Sequence, residues 1–295
     1  MFIDAHHHLW NLDAVEYPWL MAKGVERFFG DPAPIQKPYG VPEFRADMDG
    51  LTCVGSVHVQ VGAAPGQEVA ETRWLADQAQ TYDLPSAIVA AADLASPDLP
   101  ALLDAHKAVS ARVRGVRHIV SRHASEDRPN EGAALLQSDA FQRGLQRLSD
   151  ARLSFDLQLT PPLLEVVADV LMDFPDLDVA LCHAGSPWDQ TSDGLSRWRS
   201  GLDAIADLDR VTCKISGLGM FDRHWIPHSI APIVRTVLEV FGADRTMWGS
   251  NFPVDSLYHD YAAMYEAVTE LVPETARNGV FVETARTFYK LERVA

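Results

Sequence analysis

Short β-branched runs alternate along the chain with longer stretches whose apolar residues return every three or four positions. The short runs, at 2–6, 53–61, 87–93, 112–120, 153–159, 178–182, 211–215 and 245–248, have the length and composition of buried strands. Between them, segments 68–82, 99–109, 141–148, 163–174, 194–208, 230–241 and 258–271 carry helical spacing, and 273–290 adds a last helical run. Leu163, Val166, Val167, Val170 and Leu171 fall at i, i+3, i+4, i+7 and i+8, one buried face of a helix. Ser96-Pro97 and Thr160-Pro161 each place a capping hydroxyl before a proline, which suits a helix start. Strand–helix alternation repeated eight times predicts an α/β protein, a single (β/α)8 TIM barrel domain over residues 1–295. The competing doubly wound sheet needs a G-x-G-x-x-G turn after its first strand, where this chain has Ala5-His6-His7-His8-Leu9. Residues 11–42, rich in proline and aromatics, form a long insertion after the first strand. A barrel would place that insertion over its active mouth, as a lid or a substrate wall.

Composition narrows the partners. With 47% hydrophobic and 22% charged residues, the chain has ample apolar surface to offset chain entropy. A net charge of −16 argues against nucleic acid or an anionic membrane surface as partner. No apolar run approaches the roughly 20 residues of a membrane span. The start, Met1-Phe2-Ile3-Asp4, shows no basic segment of a secretory signal. Cys53, Cys182 and Cys213 sit in apolar runs without metal-type spacing and read as reduced thiols of a cytoplasmic protein.

Barrel strands alternate inward and outward, so a polar residue near a strand's C-terminal end is expected to face the mouth. In chain order these are Asp4, His6 and His8; His58 and Gln60; Asp93; Arg117 and His118; Asp156 and Gln158; His183; Lys214 and Ser216; and Asn251. His6 and His8 form an H-x-H pair that can share one cation or one anionic substrate group. Asp4 fits a role orienting an imidazole through its other nitrogen. Each residue alone also reads as a satisfied polar group of the core, and Arg117 as an ion pair with Asp93 or Asp156. Trp10, Trp19, Phe28, Phe29 and Tyr39 in the insertion, and Trp188 after His183, can close over a ring or pack as loop core.

The combination of Asp4-Ala5-His6-His7-His8, Cys182-His183-Ala184-Gly185 and Gly249-Ser250-Asn251-Phe252-Pro253-Val254 resembles the amidohydrolase superfamily. More narrowly it resembles the amidohydrolase-related lactonase branch that includes L-fuconolactonase, L-rhamnonolactonase and 2-pyrone-4,6-dicarboxylate lactonase. Val57-His58-Val59-Gln60, Arg114-Gly115-Val116-Arg117-His118 and Lys214-Ile215-Ser216-Gly217-Leu218 support it. The resemblance implies a metal-dependent-hydrolase-like barrel of carbohydrate metabolism that opens a sugar-acid or dicarboxylate-derived lactone. It implies a small-molecule partner and leaves a homo-oligomer open.

Two departures from the family pattern matter. Two-metal members use a carboxylated lysine on strand 4 and a histidine on strand 5, where this chain offers Arg117, His118 and Gln158. A single Zn²⁺ would have His6, His8 and His183, with Asn251 a poor fourth ligand. Because the branch includes enzymes that need no metal, the balance favours activity without one. Asn251 also stands where aspartate is common, and an amide cannot take a proton from water. The base is then Asp255, His183 or Asp93, with Asn251 donating a hydrogen bond. The resemblance therefore implies a catalytic set of His6, His8, His183, Asn251 and Asp255, and substrate contacts from Gln60, Arg117, Lys214, Ser216 and Trp188. Two other activities stay open: a metal-dependent non-oxidative decarboxylase, and a ligand-binding barrel without turnover.

Overall fold

A computed structural model describes residues 1–292. Eight parallel strands are hydrogen-bonded in sequence order: β1 (Phe2–His7), β2 (Cys53–Val59), β3 (Ala87–Ala91), β4 (Val113–Ile119), β5 (Ser154–Gln158), β6 (Val179–Leu181), β7 (Val211–Ile215) and β8 (Thr246–Trp248). Helices between them, among them Glu68–Tyr82, Leu99–Val109, Ser192–Ala206 and Pro227–Phe241, cover the outside. This is the (β/α)8 barrel that the alternation predicts. All eight strands fall within the predicted segments, apart from a residue at the end of β1, and several stop short of the predicted C-terminal ends.

The ring closes just beyond β8. Asn251 N donates to His6 O at 2.7 Å and His8 N donates to Phe252 O at 2.7 Å, so the turn after β8 serves as the last rung against β1. Gly249 makes this approach possible, because a Cβ there would lie 2.6 Å from both N and Cβ of His6. Asp4 locks the seam: its carboxylate accepts from Ser250 N (3.0 Å), Ser250 Oγ (2.6 Å), Tyr261 Oη (2.8 Å) and His6 N (3.1 Å). All its partners are these, so Asp4 holds backbone and hydroxyls together and orients no imidazole ring, contrary to expectation. Burial pushes its pKa up to about 6.

The expected caps also differ. Thr160 precedes the turn Pro161–Leu163, but its hydroxyl pairs with Ser121 Oγ at 2.8 Å, and the helix Leu99–Val109 is preceded by Asp98 rather than Ser96. The terminal run breaks into Glu274–Asn278, a π-turn at Gly279–Glu283, and Thr284–Phe288. The insertion lies over the mouth, pinned by Trp19 Nε1 donating to Val61 O (2.6 Å) and by mutual backbone bonds between Trp10 and Tyr39 (2.9 and 3.0 Å). Trp10, Tyr17 and Tyr39 are buried in it as packing, so its ring wall comes from other aromatics.

Candidate active site

A cavity of about 610 Å³, its open mouth included, lies at the C-terminal end of the strands, where active sites of this fold sit. Its polar wall is His8 from the end of β1, Arg117 from β4, Gln158 from β5, His183 after β6 and Asn251 after β8. Trp19, Arg27, Phe28 and Phe29 from the insertion form the other side, with Val61, Ile119, Arg122, Met220 and Val254 around them.

The three imidazoles singled out by sequence converge. The His6 ring centroid lies 5.1 Å from that of His8 and 4.5 Å from that of His183. Left-handed backbone after β6, with φ of 54° at His183 and 53° at Ala184, turns the His183 ring toward the axis instead of continuing the strand. Ser216 Oγ then holds His183 Nδ1 at 3.0 Å. Gly217 keeps that space free, since a Cβ there would meet Nδ1 of His183 at 2.5 Å. His8 is fixed by Val59 O, 2.6 Å from its Nδ1, and faces Asn251 Oδ1 at 3.2 Å from its Nε2. A carbonyl only accepts, so the His8 proton sits on Nδ1. Neither ring nitrogen of His6 has a protein partner.

Burial and neighbouring cations keep these rings neutral. His183 is held well below the usual imidazole range by burial first, then by Arg117, His8 and Lys214. His8 is pushed down to about 3 by burial and Arg117. Arg117 itself is 5% exposed and reaches only neutral acceptors, Gln158 Oε1 at 3.3 Å and Gln60 O; its Nε has no partner. It pairs with neither Asp93 nor Asp156. Asp255 sits behind Asn251, accepting from its Nδ2 at 3.1 Å, and burial pushes its pKa up to about 7.

Other expected residues lie elsewhere. Lys214 is fully buried, donating to Asp156 and to Ala5 O (2.9 Å), while Tyr289 Oη donates to the same Asp156 carboxylate at 2.9–3.0 Å. This is a correction: Lys214 is committed inside the barrel and has no donor facing the cavity. Ser216 likewise touches His183 rather than the cavity, and Gln60 offers Arg117 its backbone oxygen. His118 points outward, accepting from Leu94 N at 3.1 Å and packing edge-on to Phe141. The Asp93 side chain is 64% exposed beside it, too far out to serve as a base in the cavity. Trp188 borders an adjoining pocket rather than the main cavity. Sequence reasoning missed Arg27 and Arg122 as wall residues, although Arg27 lies within the insertion already noted and Arg122 shortly after β4.

A zinc ion, as the family resemblance allows, is a poor fit to these donors. Among the described residues no three His, Cys, Asp or Glu side chains are arranged to hold a metal ion. The residue after β8 supplies an amide in place of a carboxylate, its Oδ1 stands 3.2 Å from the Nε2 of His8, and the buried guanidinium of Arg117 at the same cavity is positive and without an anionic partner.

A barrel with a polar cavity at the C-terminal end of its strands is the architecture of a (β/α)8 enzyme, and comparison with known proteins specifies the family: the amidohydrolase family model matches residues 3–291, and the chain belongs to that family. It is 36% identical over 294 residues to the Sinorhizobium fredii protein y4mH, covering 98% of each chain. It is 28% identical to an L-fucono-1,5-lactonase of Burkholderia ambifaria, over 99% of this chain and 96% of that one. A zinc-bound crystal structure of a Burkholderia multivorans amidohydrolase superposes with a TM-score of 0.83 at 25% identity, covering 99% of this chain and all of that chain.

Proposed function

We propose that the protein opens a small cyclic ester, a sugar-acid or dicarboxylate-derived lactone, by attack of water on the ring carbonyl. The observation that carries this reading is a neutral imidazole, His183, sharing one cavity with a buried guanidinium, Arg117, that has no anionic partner. The L-fucono-1,5-lactonase relatives support it.

With Nδ1–H donating to Ser216 Oγ, the Nε2 lone pair of His183 is free to take a proton from water. The water oxygen bonds to the acyl carbon, and negative charge grows on the carbonyl oxygen. Arg117 stabilises that charge, a donor worth about 3–4 kcal/mol in a cleft of low dielectric. The ring C–O bond then breaks, and His183 returns its proton to the leaving alkoxide. The product is a hydroxy acid whose new carboxylate lies beside Arg117. Val59 O keeps His8 in place as the cavity's second polar edge, and Asp255 holds the Asn251 amide beside it. No step passes through a metal. The test is a pH-indicator screen of aldonolactones and dicarboxylate lactones with wild type beside His183→Asn. Opening by wild type and loss in the variant is expected; equal background rates for both would sink the reading.

A further inference from the structure

Across the cavity from His183 and Arg117, the insertion supplies a guanidinium that the proposed chemistry leaves unused, that of Arg27. It is held on two sides. Its Nε and Nη2 donate to the two carboxylate oxygens of Glu126, on the loop after β4, at 2.9 and 2.5 Å, and its guanidinium carbon stands 5.8 Å from the ring centre of Trp19. The Phe28 N–H also donates to Glu126 at 3.0 Å, and mutual backbone bonds between Arg27 and Gly30 (2.9 and 2.8 Å) close the turn that carries both residues. Arg223 donates to Phe28 O at 2.8 Å and Tyr258 Oη to Phe29 O, so residues 27–29 are fastened by the loops after β4, β7 and β8.

Pairing through Nε and Nη2 leaves Arg27 Nη1 without a hydrogen-bond partner among the described residues, on a side chain that is 18% exposed and lines the cavity. Locking so long a side chain costs rotamer entropy, and a fixed fork presents its free arm in one direction. The charge of Arg27 is already met. Burial works against ionisation of Glu126, but Arg27, the Phe28 N–H and Arg122 hold its carboxyl below the usual range, so it stays an anion beside Arg27. A second carboxylate at Nη1 would be repelled by that anion, and a neutral oxygen would not. Arg122, the other guanidinium of this wall, is exposed, and water screens its charge. With the lactone carbonyl at Arg117, the ring atoms opposite it reach toward the insertion, and in an aldonolactone those atoms carry hydroxyls.

We propose that Arg27 sets specificity for polyhydroxylated lactones: its Nη1 donates to a hydroxyl oxygen on the far side of the ring, and Glu126 is the residue that positions this donor. The proposal rests on the lactonase reading and adds to it a substrate contact from the insertion.

The experiment compares D-glucono- and D-galactono-1,5-lactone with δ-valerolactone, which lacks the hydroxyls, in wild type, Arg27→Lys and Glu126→Gln. In parallel, the corresponding 1,5-lactams and δ-valerolactam, which resist hydrolysis, are titrated by calorimetry. Arg27→Lys keeps a cation opposite Glu126, and with it the link between the insertion and the β4 loop, but has one nitrogen in place of the fork. The ratio of kcat/KM for the aldonolactone to that for δ-valerolactone is expected to fall about 10–100-fold in this variant, the worth of a hydrogen bond to a charged group, with the loss in KM more than in kcat. The ratio of affinities for the two kinds of lactam should fall in the same way. Glu126→Gln should lower both ratios in the same direction by about threefold to tenfold, and Glu126→Asp should restore part of the loss. A ratio within one variant is insensitive to partial loss of folding. An unchanged ratio in Arg27→Lys, or turnover confined to lactones without ring hydroxyls, overturns the proposal and leaves the lactonase reading intact. If no lactone is turned over, the lactonase reading falls, and the lactam titrations decide Arg27 by themselves: equal affinity of wild type and Arg27→Lys for the hydroxylated lactams, or no binding of them by wild type, rejects the contact.

Discussion

Ser216 Oγ lies 3.0 Å from His183 Nδ1, and that single contact sets which nitrogen of the ring faces the cavity. Replacing His183 by Asn should lower kcat by about 10²–10⁴, the worth of a positioned base. Ser216→Ala keeps the base and loses its orientation, so a loss of about tenfold is expected, near the value of one hydrogen bond. Steady-state kinetics with circular dichroism on both variants checks this; a Ser216 variant as inactive as the His183 one would contradict the assignment.

Arg117 should act on both binding and pH dependence. His183 must be neutral to accept a proton, and its folded pKa lies well below 6.5. Activity should therefore stay level from pH 8 to below 6. Arg117→Gln removes the largest cationic contribution to that depression, so the acid limb should move upward in pH. The same change should raise KM for a carboxylate-bearing lactone by about 10–100-fold, the range for a charged hydrogen bond. An unmoved limb in the pH–rate profile would refute the coupling.

Zinc should neither be required nor stabilise the fold. A donor set of neutral imidazoles and an amide, beside an unpaired guanidinium, offers a dication no anionic ligand. Dialysis against a chelator should leave the rate unchanged, and added Zn²⁺ should leave Tm unchanged, since tight binding would raise it. Stoichiometric zinc by elemental analysis, with strict dependence of rate, would reverse this and point to His6, whose ring nitrogens have no protein partner.

Stability should fall on the acid side. His6, His7, His8, His58 and His183 bind no proton in the folded chain until well below 6.5, whereas the unfolded chain protonates them near 6.5. Acid therefore favours unfolding through these five. Asp4, Glu71 and Asp255, raised to about 6, 7 and 7, act oppositely, since the folded chain keeps protons that the unfolded chain releases near 4. Five groups outweigh three, so Tm should drop by several degrees from pH 6.5 to 5 and be nearly level above 7. His7 stacks on Phe44 at 4.1 Å, outside the cavity, and His7→Phe should flatten the acid slope while sparing turnover. Thermal melts across pH check the direction.

Lys214→Met should damage the fold rather than substrate affinity. Removing one partner of a buried pair costs about 3–5 kcal/mol, because Asp156 is left charged and uncompensated. Urea unfolding should show that loss, and KM of whatever folds should be near wild type. A raised KM with unchanged stability would restore the substrate-binding role expected from sequence.

The strand order, the barrel and the placing of His6, His8 and His183 at strand ends were legible in the sequence because each depends on local pattern. Apolar period names the element, and position near a strand's end names the rim. The same rule misplaced Lys214, His118 and Asp4. A two-residue alternation says which side of a strand a residue takes, yet not how deep it lies or what awaits it there. Lys214, on β7, comes two residues before Ser216, and that places it at the depth of Asp156 and Tyr289, far from it in the chain.

By itself, then, the sequence determined an eightfold alternation, a histidine-rich mouth and an aromatic insertion above it, since these follow from neighbours in the chain. Tertiary structure alone decided that Arg117 finds no carboxylate, that Lys214 finds one, and that Phe28, Trp188 and Phe221 border one space. Those outcomes depend on distances across the barrel between residues tens to hundreds of positions apart, and only closure of the ring at Gly249 and His6 sets those distances.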